Sequence, residues 1–157
     1  MTPRGGAPEA QLAGFIGKFE PGMQRLIRAA RKRMRGLVPG ASELVYDNYN
    51  FFVIGYGPGP RASEAIFSLA AQASGLSLCF LQGARLPDPG GLLRGDGKVV
   101  RSIRLETVAV LDRPEVLALV DAALARAKVP IPREARHQVL IKSVSVKQRP
   151  RRKPPRK

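Results

Sequence analysis

The loop Gly95-Asp96-Gly97-Lys98 carries the chain's most suggestive chemistry. Glycines allow close backbone approach, and Lys98, with Arg94, Arg101 and Arg104 nearby, is placed to meet an anion. The spacing is not that of a P-loop, because Val99 follows Lys98 and a strand, rather than a helix, is expected next. The competing explanation is a hairpin-like turn that needs positive φ at glycine. Arg94, Gly95, Gly97, Lys98, Arg101 and Arg104 therefore form a candidate site for phosphate or another small anion.

A second cluster, Tyr46-Asp47-Asn48-Tyr49, mixes aromatic and polar groups that could line a pocket. It serves equally well as a turn, since Asp and Asn favour such positions by bonding to their own backbone. Asp47 and Glu64 are the one pair of acids that suggests acid-base chemistry, although nothing in the spacing brings them together. Cys79, the sole cysteine, lies in an apolar run and reads as a packed thiol, and His137 is the sole histidine. With one of each, a structural zinc site is ruled out on ligand count, and no metal or cofactor is expected.

The charge is strongly one-sided: 27 Lys and Arg against 12 Asp and Glu give a net +15. Residues 142–157 carry eight basic residues and no acid. A second concentration, Arg25, Arg28, Arg31, Lys32, Arg33 and Arg35, occupies the polar face of a helix that has no acid among them, so the opposite-charge pairs of an ordinary solvated face are missing. Arg25, Arg28, Lys32, Arg35, Arg149, Arg151, Arg152 and Lys153 are the candidate polyanion contacts, expected to bind in a salt-sensitive way. Only 6% of residues are aromatic and none is interleaved with the basic run, which argues against base stacking.

The elements that must position these residues follow from periodicity. A helix over 8–19 places Leu12, Phe15, Ile16 and Phe19 on one face, and a stronger one opens at Pro21 and runs to about Leu37. Strands are expected at 43–47, 51–56, 64–70, 76–81 and 99–106, separated by turn residues. Leu92-Leu93 suggests one helical turn within the loop before the last of these. Asp112 and Glu115 suggest the cap of a closing helix to about Ala127. The short connections imply antiparallel neighbours, and helices grouped apart from strands imply an α+β fold with two N-terminal helices, a five-stranded antiparallel meander and a C-terminal helix on the same face. Residues 1–128 form the expected domain. The Pro-rich basic stretch 129–157 is expected to be mostly disordered, with only 139–141 able to dock or add a strand. No long apolar span or secretory apolar segment is present, so a cytoplasmic protein with no membrane partner is expected.

The runs YDNYNFFVIGYGP, RASEAIFSLA and LCFLQGARLPDPGGLLRGDGKVVRSIRLE resemble the bacterial YdhG-like family, a domain of unknown function, over roughly residues 20–127. That resemblance implies a frataxin-like sandwich, and for some relatives the role of an intracellular iron chaperone. The chain departs from the acidic surface such a role needs, because its first two helices offer only Glu9 and Glu20 as acids. The preferred expectation is a small binding module, not an enzyme, for an unknown small ligand or iron. The alternatives are nonspecific association with nucleic acid through the second helix and the tail, and an enzyme acting on a small anionic substrate.

Overall fold

Apolar residues at three- and four-residue steps decide where the helices lie. The structure, a computed structural model, describes residues 7–154; the first six residues and the tail cations Arg156 and Lys157 lie outside the described residues. Helix α1 (Ala7–Ile16) buries Leu12, Phe15 and Ile16, and Phe19 continues that face in the turn beyond it. Helix α2 (Pro21–Leu37) has proline in its first turn, where a missing N–H costs nothing, and buries Ile27, Ala30 and Met34. Helix α3 (Pro114–Ala125) contributes Val116, Leu119, Val120 and Ala123 to the same core.

The expected side-chain cap of α3 is absent. Arg113 occupies the cap position, and the Asp112 carboxylate accepts a 2.6 Å bond from Arg33 Nε instead. The ion pair ties α2 to the 3-10 turn Val108–Asp112 that leads into α3.

The chain is α+β, with three α-helices against a six-stranded mixed sheet among the described residues. Strands β1 (Ser42–Asp47), β2 (Phe52–Gly57), β3 (Phe67–Gln72), β4 (Gly75–Phe80) and β5 (Arg101–Arg104) pair successively antiparallel. Alternation sends Phe52, Ile54, Phe67, Leu69, Leu78, Phe80 and Ile103 into the core, where Phe15 and Phe19 tilt against Phe52 at 6.2 and 6.1 Å. The same register puts Glu43, Val45 and Asp47 of β1 on that helix-covered side, opposite Tyr56, Ile54 and Phe52.

Three sequence expectations change. The third strand begins at Phe67, because Ala62–Glu64 forms a 3-10 turn that takes Glu64 out of the sheet. Leu92 and Leu93 form no helical turn; their backbone N–H groups donate to the Asp88 carboxylate, which satisfies them locally. The sheet is neither five-stranded nor wholly antiparallel, since β6 (Val139–Val144) lies parallel to β1, with an irregularity between Val45 and Tyr46.

The last of these also corrects the picture of a mostly disordered 129–157. After α3 the chain returns along the α2–β1 corner, so close that a Cβ on Gly40, whose φ is +87°, would collide with the Pro132 carbonyl. It then supplies β6, and at its end Arg151 is buried. Docking covers the β1 edge, whose free N–H and C=O groups would otherwise be exposed. A chain ending at Lys128, where composition alone would divide it, is expected to lose at least about 3 kcal/mol of stability, because the buried Asp47 loses its guanidinium partner. Urea denaturation followed by circular dichroism measures this; an unchanged midpoint would contradict the role of β6.

Candidate functional site

Two carboxylates on the covered side of β1, Glu43 and Asp47, have no exposed surface. Their positions follow from the period of two in a strand, which puts residues 43, 45 and 47 on one face. A buried carboxylate is tolerable only if charges and hydrogen bonds surround it, and each has recruited a different part of the chain.

Around Glu43, Arg31 of α2 donates through Nε at 3.1 Å to both carboxylate oxygens and through Nη2 at 2.9 Å to Oε1. Tyr56, the cross-strand neighbour, donates its hydroxyl to Oε2 at 2.9 Å. His137, just before β6, brings Nε2 to 2.6 Å from Oε1. The other edge of Arg31 meets Glu9 of α1, with Nη2 donating at 2.6 Å to Oε1. Burial disfavours the Arg31 cation, but its bonds to Glu43 and Glu9 outweigh this and raise its pKa. The bond from Arg31 holds the Glu9 carboxyl below its ordinary value. Burial, reinforced by the Glu43 charge, pushes the Tyr56 phenol well up, so Tyr56 stays a donor.

This network forms one wall of a cavity of about 730 Å³ between α1, α2 and the α2–β1 corner. Leu12, Ile16, Val38 and Ala41 make it partly apolar, while Arg28, Lys32 and Arg35 line it from α2. Among the described residues no carboxylate lies within ion-pair distance of these three cations, whereas Arg31 and Arg33 are paired. The acid-free helix face of the sequence thus divides: two of its six cations serve the fold, and three of the rest converge on a cavity.

At the other end of β1, Asp47 Oδ2 accepts from Lys18 Nζ at 2.7 Å and Oδ1 from Arg151 Nη2 at 2.8 Å. Arg151 also donates to the Asn48 carbonyl at 2.6 Å, and its guanidinium lies 6.0 Å from the Phe19 ring. Arg151 is therefore not a polyanion contact, because its charge is enclosed with Asp47. Arg25, Arg28, Lys32, Arg35, Arg149, Arg152 and Lys153 are all exposed. Arg28, Lys32 and Arg35 lie toward the Glu43 end of β1 and Arg149, Arg152 and Lys153 toward the Asp47 end, the two acids being about 13 Å apart along the strand.

The glycine loop does not assemble the expected anion site. Gly95 takes a positive φ of 120°, and Arg94 and Ser102 exchange backbone bonds across a narrow turn. Arg101 donates to the Gly97 and Val100 carbonyls at 2.6 and 2.8 Å, and Arg104 is bonded to the Ser74 carbonyl and paired with Glu106. Lys98 is exposed on the turn, and none of the six lines the cationic cavity. Nor do Tyr46, Asp47, Asn48 and Tyr49 share a pocket. Tyr46 is on the opposite sheet face from Asp47, Asn48 Oδ1 accepts from Ser143, and Tyr49 is exposed. Glu64 sits beside Gly57, at the far end of β1 from Asp47, so those two acids cannot act together.

The residues that sequence reasoning missed are Glu43, Tyr56, Arg31, Glu9 and His137. One signal was present: Glu43-x-Val45-x-Asp47 puts two acids in step with a core valine, and so inside. His137 carried no such signal, because its partner is reached only when β6 docks.

Two measurements check this. Glu43→Gln keeps the shape but leaves Arg31 undercompensated, and should cost about 3 kcal/mol in urea unfolding. The Asp47 carboxyl is disfavoured as an anion by burial, but the Lys18 and Arg151 bonds prevail and lower its pKa. Its stabilisation is therefore complete above the ordinary carboxylate value of about 4 and is lost as pH falls below it. Asp47→Asn should be less stable at neutral pH and show a shallower fall in urea midpoint below about pH 4, where the wild-type contribution disappears.

No group of three or more His, Cys, Asp or Glu is arranged to hold a metal ion among the described residues, and no helix there is long and apolar enough to cross a membrane. Compared with protein-family models, curated proteins and solved structures, the chain has no match.

Proposed function

We propose that this chain is a binding domain for a small organic anion, held in the cavity between α1 and α2 with its charged group on Arg28, Lys32 and Arg35 and its apolar part against Leu12, Ile16, Val38 and Ala41. The observation that carries this reading is the convergence of three cations without carboxylate partners on a cavity that also has an apolar wall. Such sites combine an apolar lining with a few placed polar groups. Arg31 takes part indirectly: paired with Glu43 and Glu9, it fixes α2 and so the direction of its neighbours.

The reading keeps the small-ligand role implied by the YdhG-like resemblance but favours an anion over iron, and the six-stranded mixed sheet departs from the frataxin-like sandwich that the resemblance implies. Both buried carboxylates are engaged by cations, and hard metal ions require carboxylate oxygens that remain available. An enzyme acting on a small anion has one observation in its favour, since His137 lines the cavity and is held by Glu43 as a general base would be. Among the described residues the lining contains no Ser, Thr or Cys, so no hydroxyl or thiol of those types is at hand there as a nucleophile.

Phenyl phosphate is a suitable probe because it combines a dianion with an apolar ring. Titrated in an amide NMR experiment, it should shift residues 28–41 and bind more tightly than inorganic phosphate. The Lys32→Ala, Arg35→Ala double variant should weaken it at least about tenfold, in line with two charge-assisted bonds. If millimolar phenyl phosphate leaves residues 28–41 unmoved, the cavity is not an anion site.

A further inference from the structure

The β1–β2 turn and the chain beyond β6 meet at the Asp47 end of the sheet. There Phe51, Asn50, Gln72, Arg149, Arg152 and Lys153 line a second concavity of about 530 Å³ with no carboxylate among the described residues of its wall. Two large aromatic side chains are unusually exposed at this place, Tyr49 at 47% and Phe51 at 38%. The Arg149 guanidinium lies 5.7 Å from the Tyr49 ring centroid, and its backbone N–H donates to the Tyr49 carbonyl at 2.9 Å. Buried Arg151 anchors the segment to Asp47, leaving Arg149, Arg152 and Lys153 outside.

In sequence, the basic stretch contains no aromatic residue, which argued against base stacking. The fold supplies what the stretch lacks by carrying Tyr49 and Phe51 to it from the β1–β2 turn. An exposed ring among cations, with side-chain amides beside it, matches the chemistry of an unpaired nucleotide: a π face for Phe51, base edges for Asn50 and Gln72, phosphates for the cations. A duplex hides its base faces in the stack, and an acidic peptide satisfies the cations without providing a plane for Phe51.

We propose that this groove binds single-stranded nucleic acid, with a base stacked on Phe51 and the backbone held by Arg149, Arg152 and Lys153. The site is separate from the α1–α2 cavity and shares no residue with it.

The test is fluorescence anisotropy of a short labelled oligothymidylate with the full chain, beside a duplex of the same length. Three phosphate contacts predict a slope of about −2 in log affinity against log salt for a single strand. Phe51→Leu should weaken binding about tenfold while leaving the melting temperature nearly unchanged, and Phe51→Trp should restore it. The Arg28→Ala, Lys32→Ala, Arg35→Ala triple variant should bind like wild type. Absence of binding at low salt, equal affinity for the duplex, a Phe51→Leu variant that binds normally, or loss in the α2 variant instead would each overturn the proposal.

Discussion

A carboxylate without water must be surrounded by donors, and β1 sets this requirement twice, at Glu43 and Asp47. Removing one ion from water costs several kcal/mol even after relaxation, and removing one partner of a buried pair costs about as much again. At Glu43 the demand is met by α2, β2 and the segment before β6 together, through Arg31, Tyr56 and His137. At Asp47 it is met by the turn after α1 and the end of the described chain, through Lys18 and Arg151. The two acids thereby join elements far apart in sequence that apolar packing alone would hold with less directional precision.

This arrangement changes what the charge excess means. A net +15 suggests a protein coated with cations, yet Arg31, Arg33 and Arg151 are structural, each opposite an acid. Three of the exposed cations on α2 face the cavity with an apolar wall, and three of the last segment, Arg149, Arg152 and Lys153, face a groove with an exposed ring. The first surroundings suit a compact anion with an apolar body, the second an extended anion with planar groups. One feature of composition thus divides into two chemistries, because each set of cations has a different neighbour.

The segment after α3 decides both. As a free tail it would add only long-range attraction, weakened within about a Debye length at physiological salt. As β6 and its flanks it places His137 in one site and Arg149, Arg152 and Lys153 in the other. Its composition, rich in Pro, Lys and Arg, conceals this, because only a few apolar residues, Ile131, Val139 and Ile141, pack against the core, and much of the rest of its attachment is polar: a strand ladder, the buried Arg151 guanidinium, and bonds from His137, Ser143, Gln148 and Arg149 to β1 and the turn after it.

The sequence by itself determined the elements whose signals are local. The helices show in the steps of Leu12, Phe15 and Ile16 and of Ile27, Ala30 and Met34, the α+β class in the order of runs, and the meander in short turns between β-branched and aromatic stretches. It also showed where cations concentrate and that α2 has no acid to pair with them, since these are properties of neighbouring residues. Only the tertiary structure decided which cations are free, that Glu43 is enclosed, that His137 reaches it, and that Tyr49 and Phe51 stand beside Arg149. Each of these is a contact between segments distant along the chain, set by strand register and by the docking of β6. No local pattern encodes such a contact, because its free energy belongs to a pair and exists only once both members are in place.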